Sequence, residues 1–112
     1  MNDAIGKNYL EYRFQNWLFP KIEKQIVVGD LTILLLKVDW TKMPPEYGRR
    51  NLIATNKKGE IVWVAQLPNS YPIYGAFHHI ELKDKLLEAT CGSFLCEIVP
   101  ETGKIISETF TK

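Results

Sequence analysis

Residues 25–36 read QIVVGDLTILLL, two β-favouring apolar runs on either side of Gly29-Asp30. A Gly-Asp pair between such runs suits a tight two-residue hairpin turn, so the stretch predicts strand, turn, strand. Working outward, residues 51–55 lead through Asn56-Lys57-Lys58-Gly59 into residues 61–66, with Gly59 placed to take the left-handed position that ends a type I turn. A second hairpin follows from it.

The plan recurs further along. Residues 78–82, a Lys83-Asp84 turn, residues 85–90, a Gly92-Ser93 turn, residues 94–99, Pro100-Glu101-Thr102-Gly103 and residues 105–110 give four more strands in the same order. Aligning Asp30 with Asp84 sets an offset of 54, and aligning Gly59 with Gly103 sets 44. The first copy therefore carries ten extra residues in its middle connection, within 37–50. The expected fold class is all-β: two four-stranded antiparallel, blade-like sheets packed as a sandwich or small barrel. The expected organisation is one domain over 1–112, with an N-terminal extension at 1–24, a first unit at 25–67 and a second at 77–110.

Alternation along the strands sets the faces. Ile61, Trp63, Ala65 and Leu67 fall on one side with Val62 and Val64 on the other, which implies burial on two faces. Leu95, Glu97 and Val99 alternate with Phe94, Cys96 and Ile98, so Glu97 meets water and the second sheet is expected to be the more exposed. In residues 9–18, Leu10, Tyr12 and Phe14 alternate as a strand would, while Leu10, Phe14, Trp17 and Leu18 share a helical face. The segment ends at Phe19-Pro20, since proline disfavours a helical residue before it.

The run Ala54-Thr55-Asn56-Lys57-Lys58-Gly59-Glu60-Ile61-Val62-Trp63 resembles the blade motif of quinoprotein-type β-propellers, in which a turn, a Gly and a following Trp close the outer hairpin. Thr102-Gly103-Lys104-Ile105-Ile106 is similar to the same motif, with Ser107 where that motif carries its Trp. The resemblance covers about residues 25–110 and implies four-stranded sheets, not an activity. Propellers close with roughly 4 to 8 blades, so two units do not close one. Asn16-Trp17-Leu18-Phe19-Pro20 and Pro100-Glu101-Thr102-Gly103-Lys104 also resemble segments of short bacterial proteins of unknown function.

Composition narrows the classes of activity. With 112 residues, 14 basic and 13 acidic side chains and a net charge of +1, the chain has the core-forming capacity of one domain and no nucleic-acid footprint. Arg49, Arg50, Lys57 and Lys58 read as solvated hairpin ends. The longest apolar run, residues 31–36, contains Thr32 and is too short to span a bilayer, and Met1-Asn2-Asp3-Ala4 lacks a secretion signal, so a cytoplasmic location without membrane association is expected.

No Gly-rich phosphate loop, nucleophile elbow or paired acid spacing appears in the sequence. His78 and His79, the only histidines, point to opposite faces of a strand and share one task only across a bulge. Cys91 and Cys96 are five apart with no second pair to complete a zinc site. Around a Gly92-Ser93 turn they become diagonal neighbours, beyond comfortable disulfide reach, and two free, half-buried thiols are expected. No cofactor and no metal are expected.

Partner binding has stronger candidates. The connection within 37–50 carries Trp40, Met43, Pro44, Pro45, Tyr47, Arg49 and Arg50, and residues 68–77 carry Tyr71, Pro72 and Tyr74. Trp, Tyr and Arg are enriched at binding hot spots, and Pro-Pro stiffening lowers the ordering cost of association. The leading expectation is a non-enzymatic protein-interaction module of a bacterial cell, an inhibitor or immunity-type protein, binding through Trp40, Tyr47, Arg49, Arg50, Tyr71 and Tyr74. The alternatives are a small-ligand-binding protein or minor hydrolase using His78 or His79 with Tyr74, and a structural homo-oligomer.

Overall fold

A computed structural model of the chain describes residues 21–38, 50–68 and 75–111. Eight strands run in chain order: β1 (Ile22–Val28), β2 (Leu31–Leu36), β3 (Leu52–Thr55), β4 (Ile61–Val64), β5 (Phe77–Lys83), β6 (Leu86–Cys91), β7 (Phe94–Val99) and β8 (Lys104–Phe110). They form two antiparallel four-stranded meanders, β1-β2-β3-β4 and β5-β6-β7-β8. All eight strands expected for the two units are present. β1 begins at Ile22, three residues inside the segment read as an extension, and the first turn of the second meander is centred on Asp84-Lys85, with Lys83 paired to Leu86. Asp84 itself takes the left-handed φ of 56°, which aspartate tolerates better than most residues, so the turn sits one position later than expected.

The two sheets pack face to face around one core. Ile33, Leu35, Leu52, Ala54, Trp63 and Ala65 of the first meet Phe77, Ile80, Leu87, Ala89, Cys91, Cys96 and Ile98 of the second. This is a sandwich in which alternate residues of each strand turn inward. The first sheet is apolar on its outer face too, where Leu34, Leu36, Ile53, Ile61 and Val64 cluster. Ile61 was expected beside Trp63; a bulge at Val62 inserts an extra residue opposite β3, so Ala54 pairs with Trp63 while Thr55 pairs with Ile61, and Ile61 turns outward. The outer face of the second sheet is polar at its centre: Glu81 pairs with Glu88, and Glu88 with Glu97, across three adjacent strands.

Three polar ties fasten the halves. Trp63 reaches from β4 to the β7–β8 turn, where its Nε1 donates to the Pro100 carbonyl at 2.9 Å and its ring lies close against Gly103. Asn51, 2 % exposed, donates from Nδ2 to the carbonyls of Leu36 and Phe77, both at 2.7 Å, and accepts the Phe77 amide at 3.0 Å. It thereby pairs with Phe77 as a strand residue would, at the point where the sheets join. Lys24 Nζ donates to the Ile80 carbonyl at 3.0 Å, closing β1 onto β5.

Cys91 and Cys96 form no disulfide and are buried, with Cys91 opposite Phe94 and Cys96 opposite Ala89, the diagonal arrangement expected from the turn. Both are fully buried, more so than the half-burial expected from the sequence. Burial, reinforced by the carboxylate of Glu108 on β8, pushes the Cys96 thiol up to about 11. A protonated, enclosed thiol is a poor nucleophile. We expect a thiol-reactive disulfide reagent at pH 8 to leave both cysteines unmodified in the native chain and to titrate both in denaturant; rapid reaction without denaturant would contradict their burial.

Candidate functional site

The meander topology gives the sandwich two unlike ends. At one, the chain reverses through Gly29-Asp30, residues 56–60, Asp84-Lys85 and residues 100–103, all tight turns. Asn56 holds the second of these, its Oδ1 accepting the amides of Lys58 and Glu60 at 2.9 and 3.0 Å. At the other end, strand ladders finish on residues from which long segments depart. Lys37 N donates to Lys21 O at 2.8 Å, Leu36 N to Asn51 O at 2.8 Å and Ala65 N to Leu52 O at 2.9 Å. The segments 1–20, 39–49 and 69–74 thus all attach to one end, and Val38, Arg50, Pro68 and Gly75 at their roots are buried.

These three segments hold all five of the tyrosines, together with Trp17, Trp40, Phe14 and Phe19. The expected partner-binding residues Trp40, Tyr47, Arg49, Tyr71 and Tyr74 lie on them, outside the described residues, as does the strand-or-helix question at 9–18. Arg50 is described: 5 % exposed, it donates from Nε to Ala65 O and from Nη2 to Val64 O, each at 3.1 Å. Its guanidinium clamps the root of the 39–49 segment to the end of β4.

Between the roots lies a cleft of about 380 Å³ whose lining includes Glu23, Lys37, Asn51, Phe77 and His78. His78 occupies a bulge, because Phe77 pairs with Cys91 and His79 with Thr90. The bulge does not bring the two imidazoles to one task. His78 Nε2 sits 3.3 Å from the Gly92 carbonyl, whereas His79 Nε2 lies 3.7 Å from Glu81 Oε1 on the exposed outer face. Glu81 lies two residues along the same strand face from His79, as the period of two dictates, and 3.7 Å is too long for a hydrogen bond that would orient the ring. Among the described residues no group of three His, Cys, Asp or Glu side chains is placed to hold a metal ion. No helix among them is long and apolar enough to cross a membrane.

The aromatic-rich segments 1–20, 39–49 and 69–74 therefore all depart from one end of the described strands. The chain matches no protein-family model, no curated protein sequence and no solved structure.

Proposed function

We propose that the chain is a protein-interaction module of the bacterial cytoplasm, of the inhibitor or immunity type, which engages another protein with the loop-bearing end of the sandwich. The observation that carries this reading is the polarity of the fold: four of the five tight turns at one end, and every tyrosine on segments rooted at the other. Tyrosine and tryptophan supply large, amphipathic contact area at low conformational cost, which suits them to paratope-like surfaces. In this reading Trp40, Tyr47, Arg49, Tyr71 and Tyr74 make contact while Arg50 holds the loop root. No nucleic acid, membrane, metal or cofactor enters it.

Changing Trp40 and Tyr47 together to alanine is expected to shift the melting temperature by less than about 4 °C while abolishing co-purification of the partner that the unaltered chain retains. Full retention of that partner by the variant would remove the reading.

The cleft beside His78 favours a second reading, a small-ligand site, since its volume lies in the range that encloses small molecules. A thermal-shift screen that finds no stabilising ligand, or ligands whose effect survives His78→Ala with His79→Ala, would discard it. A head-to-tail ring is less favoured physically. It would stack the apolar outer face of the first sheet on the Glu81–Glu88–Glu97 row of the next chain and bury carboxylates without partners. Light scattering tests the ring directly.

A further inference from the structure

We propose that the β-bulges of the fold are a guard against polymerisation: by interrupting each edge strand they keep either sheet from continuing into a second copy of the chain. This goes beyond the interaction reading and does not depend on it.

Among the described residues β1, β4, β5 and β8 are the edges of the two sheets, and each holds one extra residue. In β1 it is Glu23, since Ile22 pairs with Leu36 and Lys24 with Leu35. In β4 it is Val62, in β5 His78, and in β8 Ile106, where Ser107 pairs with Glu97 and Ile105 with Ile98. The ladders between central strands, β2 with β3 and β6 with β7, run without a shift. What the four residues share is their place in the sheet order and not their chemistry. They are an acid, an imidazole and two β-branched aliphatics, and none takes a positive φ. Neither a residue type nor a left-handed backbone forces the interruption.

The two units give a second sign. Val62 and Ile106 each stand three residues beyond the left-handed glycine of their turn, Gly59 and Gly103. The registers around them differ by one, so Ile61 points away from the second sheet while Ile105, its counterpart, packs on the core. The bulge keeps its place although the faces are exchanged, so it is not a by-product of which residues the core requires.

The liability is greatest beside β4 and β8. On the other side Lys24 Nζ lies on the Ile80 carbonyl and covers the edge of β5. Between β4 and β8 the sheets part around a groove of about 400 Å³ whose lining includes Val64, Leu67, Lys104 and Ile105. On these two strands Val62 and Ile106 are 40 % and 51 % exposed. β8 runs for 7 residues and carries Ile105, Ile106, Thr109 and Phe110. An edge of that length and composition, in one regular register, is a template for a further strand. The bulge breaks the even spacing of the outward backbone groups and adds local twist, so an incoming strand cannot pair along the whole edge.

Deleting Ile106 tests this, because Ile105 stays opposite Ile98 and Ser107 opposite Glu97, and no side chain of β8 changes face. Light scattering of the folded deletion variant is expected to give a mass roughly twofold or more that of the unaltered chain, rising with concentration. Ile106→Ala, which keeps the bulge and removes the exposed side chain, is expected to keep the mass of the unaltered chain. Adding Thr109→Lys to the deletion puts a charge on an exposed position of β8 and should restore that mass, which aggregation of a misfolded chain would not allow. Where the Ile106 deletion gives no cooperative urea transition, deletion of Val62, with Val62→Ala beside it, takes its place, since Ile61 stays opposite Thr55 and Trp63 opposite Ala54. A folded deletion variant with the mass of the unaltered chain overturns the proposal. So does association that the alanine variant reproduces or, for Ile106, that Thr109→Lys leaves in place.

Discussion

Gly103→Ala is expected to destabilise the fold by about 3–5 kcal/mol, whereas Gly59→Ala, at the matching turn of the other sheet, costs only about 1 kcal/mol. Both glycines hold a left-handed backbone, with φ of 76° and 80°, so both substitutions incur the strain of an L side chain there. Around Gly59 a Cβ would meet nothing within 4 Å, and the strain is the whole effect. At Gly103 the same atom would overlap the ring of Trp63, whose neighbours Gly103 and Pro100 hold it on the turn. The ring cannot withdraw without giving up its bond to the Pro100 carbonyl and opening a gap in the core, so the overlap adds to the strain. A cycle separates the two contributions: in a Trp63→Ala background, Gly103→Ala should fall to about the 1 kcal/mol of strain alone. Equal costs at the two glycines in the unaltered chain would show that the Trp63 contact carries none of the difference.

That contrast marks what the sequence can and cannot convey. The eight strands are legible because the period of two and the turn residues act over a few neighbours, so the Gly29-Asp30 and Gly92-Ser93 hairpins can be read locally. The turn after β5 is displaced by one residue because Asp84 takes up a conformation usually left to glycine or asparagine. The side to which Ile61 points is hidden by the bulge at Val62, since one inserted residue inverts every face assignment before it. At the candidate site the aromatic segments are visible in the sequence as composition, but their common end emerges only once the strand order is known. Arg50 looked like a contact residue from its neighbours Tyr47 and Arg49; its clamp on Val64 and Ala65 depends on where β4 ends.

Asn51 is the residue most completely hidden from the sequence, because its role depends on Phe77, 26 positions away, and on the way the sheets stack. Asn51→Asp is expected to cost about 3–5 kcal/mol at pH 7, the range for an uncompensated buried charge. The substitution keeps the shape and one acceptor for the Phe77 amide. It replaces the Nδ2 donor with an oxygen facing two carbonyls, those of Leu36 and Phe77, at the 2.7 Å now spanned by hydrogen bonds. Burial and the facing carbonyls both disfavour the charged carboxylate, so the new acid would bind its proton more tightly in the folded chain than in the unfolded one. The stability of the Asn51→Asp variant should therefore rise as pH falls from 7 towards the ordinary carboxylate range near 4, where the neutral acid can donate once but not twice. Asn51→Ala supplies the reference, since it abandons all three backbone groups without adding a titrating one. Urea titrations of both variants between pH 4 and 7, each taken relative to the unaltered chain, should show the gap between them narrowing or reversing at the acid end. Parallel profiles, or an aspartate variant as stable as the parent at pH 7, would mean that the Asn51 amide is not what joins the two sheets at Phe77.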